Sequence, residues 1–167
     1  MTAWALPTLI AHGTEEQKER FVQPSLRGEL IWCQLFSEPG AGSDLAGLST
    51  RAARVDGGWS LTGQKVWTSV AMRAHWGICL ARTNPDVAKH QGITYFLVEM
   101  SSPGIDIRPL REITGDALFN EVFFDDVFVP DERVLGEVGQ GWQVAMATAG
   151  PTGYTPTQVR AAYGFDA

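Results

Sequence analysis

Phe36-Ser37-Glu38-Pro39-Gly40-Ala41-Gly42-Ser43-Asp44 puts a strand exit, a tight turn and a pair of hydroxyls into one short run. Pro39 fixes φ and offers no amide, whereas Gly40 and Gly42 let the backbone come close to a ligand. The free amides from Gly40 onward can point at a phosphate, and Ser37 and Ser43 add directed hydrogen-bonding groups. The preceding Leu30-Ile31-Trp32-Cys33-Gln34-Leu35-Phe36 is apolar, of strand length and rich in β-formers, so it holds the loop at the end of a rigid element. The same residues also read as an ordinary Pro-Gly turn in which Ser43 or Asp44 caps a short helix. Glu38, ahead of Pro39, reads as a carboxylate that satisfies loop amides and not as a catalytic base.

Outward from this loop the chain falls into three textures. Met1 to Arg27 reads as helical, with a capping-box pattern at Thr14-Glu15-Glu16-Gln17 and Pro24 as the stop signal. From Gly28 the pattern is one of strands. Arg51 to Val55 and Trp59 to Trp67 flank the hairpin turn Asp56-Gly57-Gly58, and a meander follows over Trp76 to Arg82, Ile93 to Glu99, Ile105 to Leu110 and Glu121 to Phe128. Short strands at this density predict a mostly β fold, a barrel or a sandwich. Gly139-Gln140-Gly141 then opens a short helix, which Gly150-Pro151 halts.

Composition narrows the function classes. A chain of 167 residues, 44% apolar and 19% charged, can bury an ordinary core. Its net charge of −6, with no basic cluster interleaved with aromatics, argues against nucleic-acid and anionic-membrane partners. Cys33 and Cys79 form no Cys-x-x-Cys pair and read as buried thiols, and His12, His75 and His90 are too dispersed to predict a metal site. With no apolar run of spanning length and no basic leader followed by an apolar core, a cytoplasmic protein is the expectation.

The loop and a second segment, Gly63-Gln64-Lys65-Val66-Trp67-Thr68-Ser69, together resemble the acyl-CoA dehydrogenase family. The resemblance continues through Trp76 to Arg82, Gly92 to Val98, Pro103-Gly104-Ile105, Asn120 to Val127, Val129-Pro130 and Gly139-Gln140-Gly141-Trp142. It implies a middle-domain-like β barrel or sandwich, with residues 1–27 a remnant of an N-terminal helical domain, 28–138 the flavin-binding domain, 139–150 the start of a C-terminal helical domain and 151–167 an unmatched tail. The family removes an α proton from an acyl-CoA thioester with a Glu carboxylate while hydride passes from the β carbon to FAD.

Carried over residue by residue, the resemblance implies that Gln34, Phe36 and Ser37 lie along the flavin ring, with Gln34 replacing the more common aromatic. Gly42 and Ser43 would bind the pyrophosphate, Ser43 alternatively the thioester arm. Trp67 would stack at the dimethylbenzene side, Ser69 would donate toward N5 where Thr is usual, and Thr68 lies between. The family's base comes from the C-terminal helical domain, so none of the residues here is expected to be catalytic. An electron-transfer flavoprotein as acceptor and a homo-oligomer of the complete enzyme are further implications. The reading from a different class is a binding module that holds FAD or an acyl thioester without turnover. A Rossmann reading fails because the third glycine falls at Gly47 and strands continue where a helix is required. A serine hydrolase reading fails for want of a Gly-x-Ser-x-Gly elbow. Asp44 reads as a cap or turn closure, the Asp125–Asp126 pair as surface charge, and Arg108 and Arg111 as either an anion site or a solvated face.

Overall fold

The computed structural model describes residues 2–149, so the expected tail over 151–167 lies outside the described residues, as does the halting signal at Gly150-Pro151. Two helices, α1 (Thr2–His12) and α2 (Glu15–Leu26), precede seven strands: β1 (Trp32–Leu35), β2 (Arg51–Val55), β3 (Gly58–Ser69), β4 (Trp76–Arg82), β5 (Ile93–Glu99), β6 (Ile105–Leu110) and β7 (Phe119–Pro130). A third helix, α3 (Gly141–Ala149), follows. The fold is mostly β, a curled half-barrel sheet with helices against it.

The capping box forms as its pattern predicts: the Thr14 hydroxyl accepts from the Gln17 amide, and the Gln17 side chain accepts from the Thr14 amide. The Gln17 side chain also donates to the Glu132 and Val134 carbonyls, each at 2.8 Å, which ties α2 to the chain after β7. Pro24 does not stop α2, which runs on to Leu26. In the last turn Pro sacrifices a single amide, and the carbonyls there find partners beyond the helix: Arg27 donates to Gln23, Gly28 to Ser25 and Glu29 to Pro24.

Hairpins join β2 to β3, β4 to β5 and β6 to β7, but the sheet is not the expected meander. β1 pairs in parallel with β4, β2 touches β4 through the single pair Arg51 with Arg82, and β3 pairs antiparallel with β7, far along the chain. The β2–β3 turn is the predicted Asp-Gly type, with Val55 opposite Gly58 and Gly57 at φ +70°.

Alternation along β1, β4 and β5 explains the layering. One face carries Trp32, Trp76, Ile78, Leu80, Ile93, Tyr95 and Leu97 against the helices. The other carries Cys33, Leu35, Cys79, Ala81, Phe96 and Val98 against residues of β2, β3 and β7. Strands covered on both sides read as continuous apolar runs, as these do. Phe21, Trp32 and Trp76 pack with ring centroids 4.7 to 6.1 Å apart, and the Trp32 indole donates to the Ser25 hydroxyl at 2.8 Å. Among the described residues no helix is long and apolar enough to cross a membrane.

Candidate functional site

The loop after β1 closes as a tight turn. The Glu38 and Ala41 backbones exchange two hydrogen bonds of 3.0 Å each, with Pro39 and Gly40 at the tip. Neither Gly40 nor Gly42 has a positive φ, and a methyl group on either would meet no atom within 4 Å. Internal sterics therefore do not demand glycine at these positions, and the backbone there is open to close approach from outside. Ser43 is exposed and Ser37 half-buried, and neither hydroxyl has a partner among the described residues. Asp44 does not cap the 3-10 turn at Leu45–Gly47. Its carboxylate accepts from the Lys89 ammonium at 2.7 and 2.9 Å instead, because a cation from the β4–β5 loop outcompetes a local amide.

The second segment ends β3 in an irregular geometry. Lys65 pairs with Val122 and Thr68 with Asn120, so Val66 and Trp67 face a single residue of β7 in a bulge. Trp67 takes φ 60° and Val70 φ 57°, left-handed conformations costing on the order of 1–2 kcal/mol each for residues with a Cβ. The bulge turns the Trp67 indole outward, 62% exposed, with its ring edge-on to Phe119. Thr68 is buried; its carbonyl accepts from the Asn120 amide group at 3.0 Å, while its hydroxyl and the Asn120 side-chain oxygen lack partners among the described residues. Ser69 is half-buried, its hydroxyl without a partner among the described residues.

Two contacts bring the segments together. The Val66 amide donates to the Ser37 carbonyl at 2.9 Å. Lys65, fully buried, donates to the Phe36 carbonyl at 3.2 Å, to Glu38 Oε1 at 2.8 Å and to the Leu80 carbonyl at 2.8 Å. Glu38 does satisfy loop amides, accepting from Ser49 at 2.6 Å and Thr50 at 2.9 Å, and from the Ser49 hydroxyl at 2.8 Å. Burial alone would raise its carboxyl, but the Lys65 ammonium and these donors overcome that and hold it at about 2. Sequence reasoning missed Lys65, since a lysine among β-formers carries no local signal of burial.

The other expected residues disperse. Gln34 is half-buried on β1, its side chain without a partner among the described residues. The Phe36 ring is buried against Tyr95, centroids 5.8 Å apart, and its carbonyl is taken by Lys65, so the ring is a core group and is not presented to a ligand. Asp126 sits at φ 50° in a second β3–β7 bulge and accepts from the Ser60 and Thr62 hydroxyls on the exposed face, while Asp125 is also exposed. Arg108 is exposed, pairs with Asp106 and lies over the Phe123 ring; Arg111 is exposed too.

The arrangement offers an exposed indole, unpartnered hydroxyls at Ser37, Ser43 and Ser69, and glycine backbone with open space above it. That donor set fits a planar, hydrogen-bonding ligand carrying a phosphate, as FAD does.

Known proteins share this sequence and this fold. The family model described as acyl-CoA dehydrogenase, middle domain, matches residues 33–127. The chain is 70% identical over 145 residues to the Mycobacterium tuberculosis acyl-CoA dehydrogenase FadE34, covering 87% of this chain and 20% of that protein. It is 51% identical to the acyl-CoA dehydrogenase IpdE1 of the same organism, covering 85% of this chain and 37% of the relative. The solved steroid ACAD Tcur3481-Tcur3483 superposes with a TM-score of 0.84 at 34% identity, over 87% of this chain and 38% of that one. The chain thus spans well under half the length of these relatives.

Proposed function

The chain belongs to the acyl-CoA dehydrogenase family, and from that premise we propose that it is the flavin-binding middle portion of an FAD-dependent acyl-CoA dehydrogenase. The domain division implied by the resemblance goes with this reading: residues 28–138 form the flavin platform, with helical pieces at 1–27 and 139–150. The observation that carries it is the Val66–Ser37 bond of 2.9 Å, which brings the loop of Ser37 and Ser43 beside the strand end of Trp67 and Ser69.

Bound there, FAD supplies the hydride acceptor for the β carbon of an acyl-CoA. The chain's own residues hold and orient. Trp67 gives an apolar plane, Ser37 and Ser69 give hydroxyls to the ring, and Ser43 with the Gly42 backbone takes a phosphate or the thioester arm. Glu38 is committed to Lys65 and two loop amides, so it does not serve as the base. The base belongs to a C-terminal helical segment of the kind the family uses, so these residues alone bind without turning over. An electron-transfer flavoprotein is the acceptor this reading implies, and an acyl-CoA the substrate class.

The deciding experiment is an absorbance and fluorescence titration of the folded protein with FAD, repeated with Trp67→Ala. A flavin band that shifts on binding, and that the variant loses, supports the platform. Absence of binding by a folded protein overturns it. A companion titration with straight-chain and steroid side-chain acyl-CoA esters in place of FAD separates a flavin platform from a module that holds only an acyl thioester.

A further inference from the structure

Glu38 and Lys65 form an ion pair with both charges out of water, their side chains 4% and 0% exposed. Burying two charges is a poor way to gain stability, since apolar residues of similar volume commonly do as well or better. What such a pair does supply is fixed geometry, because each hydrogen-bonding valence has one acceptable place.

The valences here are spent at particular points of the chain. The ammonium gives one proton each to Phe36, Glu38 and Leu80, joining the end of β1 to β3 and β4. The carboxylate takes the Ser49 amide and hydroxyl on Oε2, and the Thr50 amide with Lys65 on Oε1. Residues 42–48, which carry Ser43, leave the chain just after Glu38 and return to it at Ser49. The same carboxylate therefore holds both feet of that loop, and Lys65 registers them against the strand whose end presents Trp67.

We propose that Glu38 and Lys65 are positioning residues, which set the Ser37 and Ser43 hydroxyls against Trp67, so that ligand affinity depends on the pair more than the fold does. The identity of the ligand rests on the flavin reading; the rigidity of the loop does not.

The test compares the parent chain with the double variant Glu38→Gln/Lys65→Met, which removes both charges and strands neither. Three quantities are read: cooperative thermal unfolding, amide hydrogen exchange at Ser49, Thr50 and Val66, and the Kd for FAD. The expected result is retained cooperative unfolding, exchange at those amides faster by about tenfold or more while the β4–β5 amides keep their protection, and a Kd for FAD raised by about tenfold or more. Parent-like exchange at the loop amides overturns the proposal, as does a uniform rise over all strands, which marks a merely structural pair. Should the double variant fail to fold, Glu38→Asp carries the test: it keeps the charge but withdraws it by one methylene, and the same selective loosening is expected, with parent-like values overturning the proposal. If the parent itself binds no FAD, the flavin reading fails, and the exchange pattern still decides the positioning role.

Discussion

The ring of Trp67 stands edge-on to that of Phe119, centroids 6.0 Å apart and planes at 82°, on a backbone bulge that holds Trp67 at φ 60°. An aromatic in the left-handed region, turned mostly to solvent, is a local cost that the fold tolerates without an evident internal return. Trp67→Gly removes the strain, on the order of 1 kcal/mol, and forfeits an edge contact of about the same size. The expected outcome is a Tm within a few degrees of the parent together with FAD affinity weakened by about tenfold or more. A large fall in Tm shows instead that the indole is a core residue.

Much of this was legible in the chain itself. β4 and β5 begin and end where the sequence places them, because strands covered on both faces read as near-continuous apolar runs with few polar positions to blur the edges. Glu38 was readable as a loop-amide acceptor from its place before Pro39. What escaped was non-local. Lys65 is buried only because Glu38 and two carbonyls from distant strands converge on it, Asp44 abandons its turn only because Lys89 reaches across from another loop, and the parallel β1–β4 pairing joins segments that no turn connects. The bulge at Trp67 was invisible for a related reason: it is a mismatch between β3 and β7, and only the pair of strands defines it.

Acid should act through Glu38. Its carboxyl is held at about 2 against an ordinary 4.5, burial opposing and Lys65 prevailing, so its contribution is fully present above about pH 4.5 and is lost as pH falls toward 2. The difference bounds that contribution at roughly 3 kcal/mol. Urea unfolding at pH 7, 4 and 3 is expected to show a steeper loss of stability in the parent than in Glu38→Gln. Parallel curves for the two proteins contradict the assignment.

The two thiols give a chemical readout of the core. Burial pushes Cys79 up to about 11 and raises Cys33 as well, with the Cys33 thiol donating to the Met100 sulfur at 3.6 Å. A thiolate is the reactive form, so both should resist a disulfide reagent in the native protein at pH 8 and react fully in denaturant. Labelling that tracks global unfolding is the expected kinetics. Fast reaction of one equivalent means that β1 or β4 opens locally.

Three glycines separate packing from binding. At Gly63 φ is +155° and a Cβ would come within 2.6 to 2.9 Å of Thr50, so Gly63→Ala forces backbone or Thr50 to move and should destabilise by about 1–3 kcal/mol. At Gly40 and Gly42 the space is open and φ is ordinary, so alanine loses less chain entropy on folding and should stabilise by up to about 1 kcal/mol. If the glycines exist to let a phosphate or a thioester arm approach the backbone, the same alanines must weaken FAD or acyl-CoA binding in a protein that is no less stable. Measured together, denaturant midpoints and titrations should therefore move in opposite directions for Gly40→Ala and Gly42→Ala, and the midpoint alone should fall for Gly63→Ala relative to them. Binding unchanged in both loop variants makes the turn an ordinary Pro-Gly corner, and the hydroxyls of Ser37 and Ser43 lose their claim to a ligand.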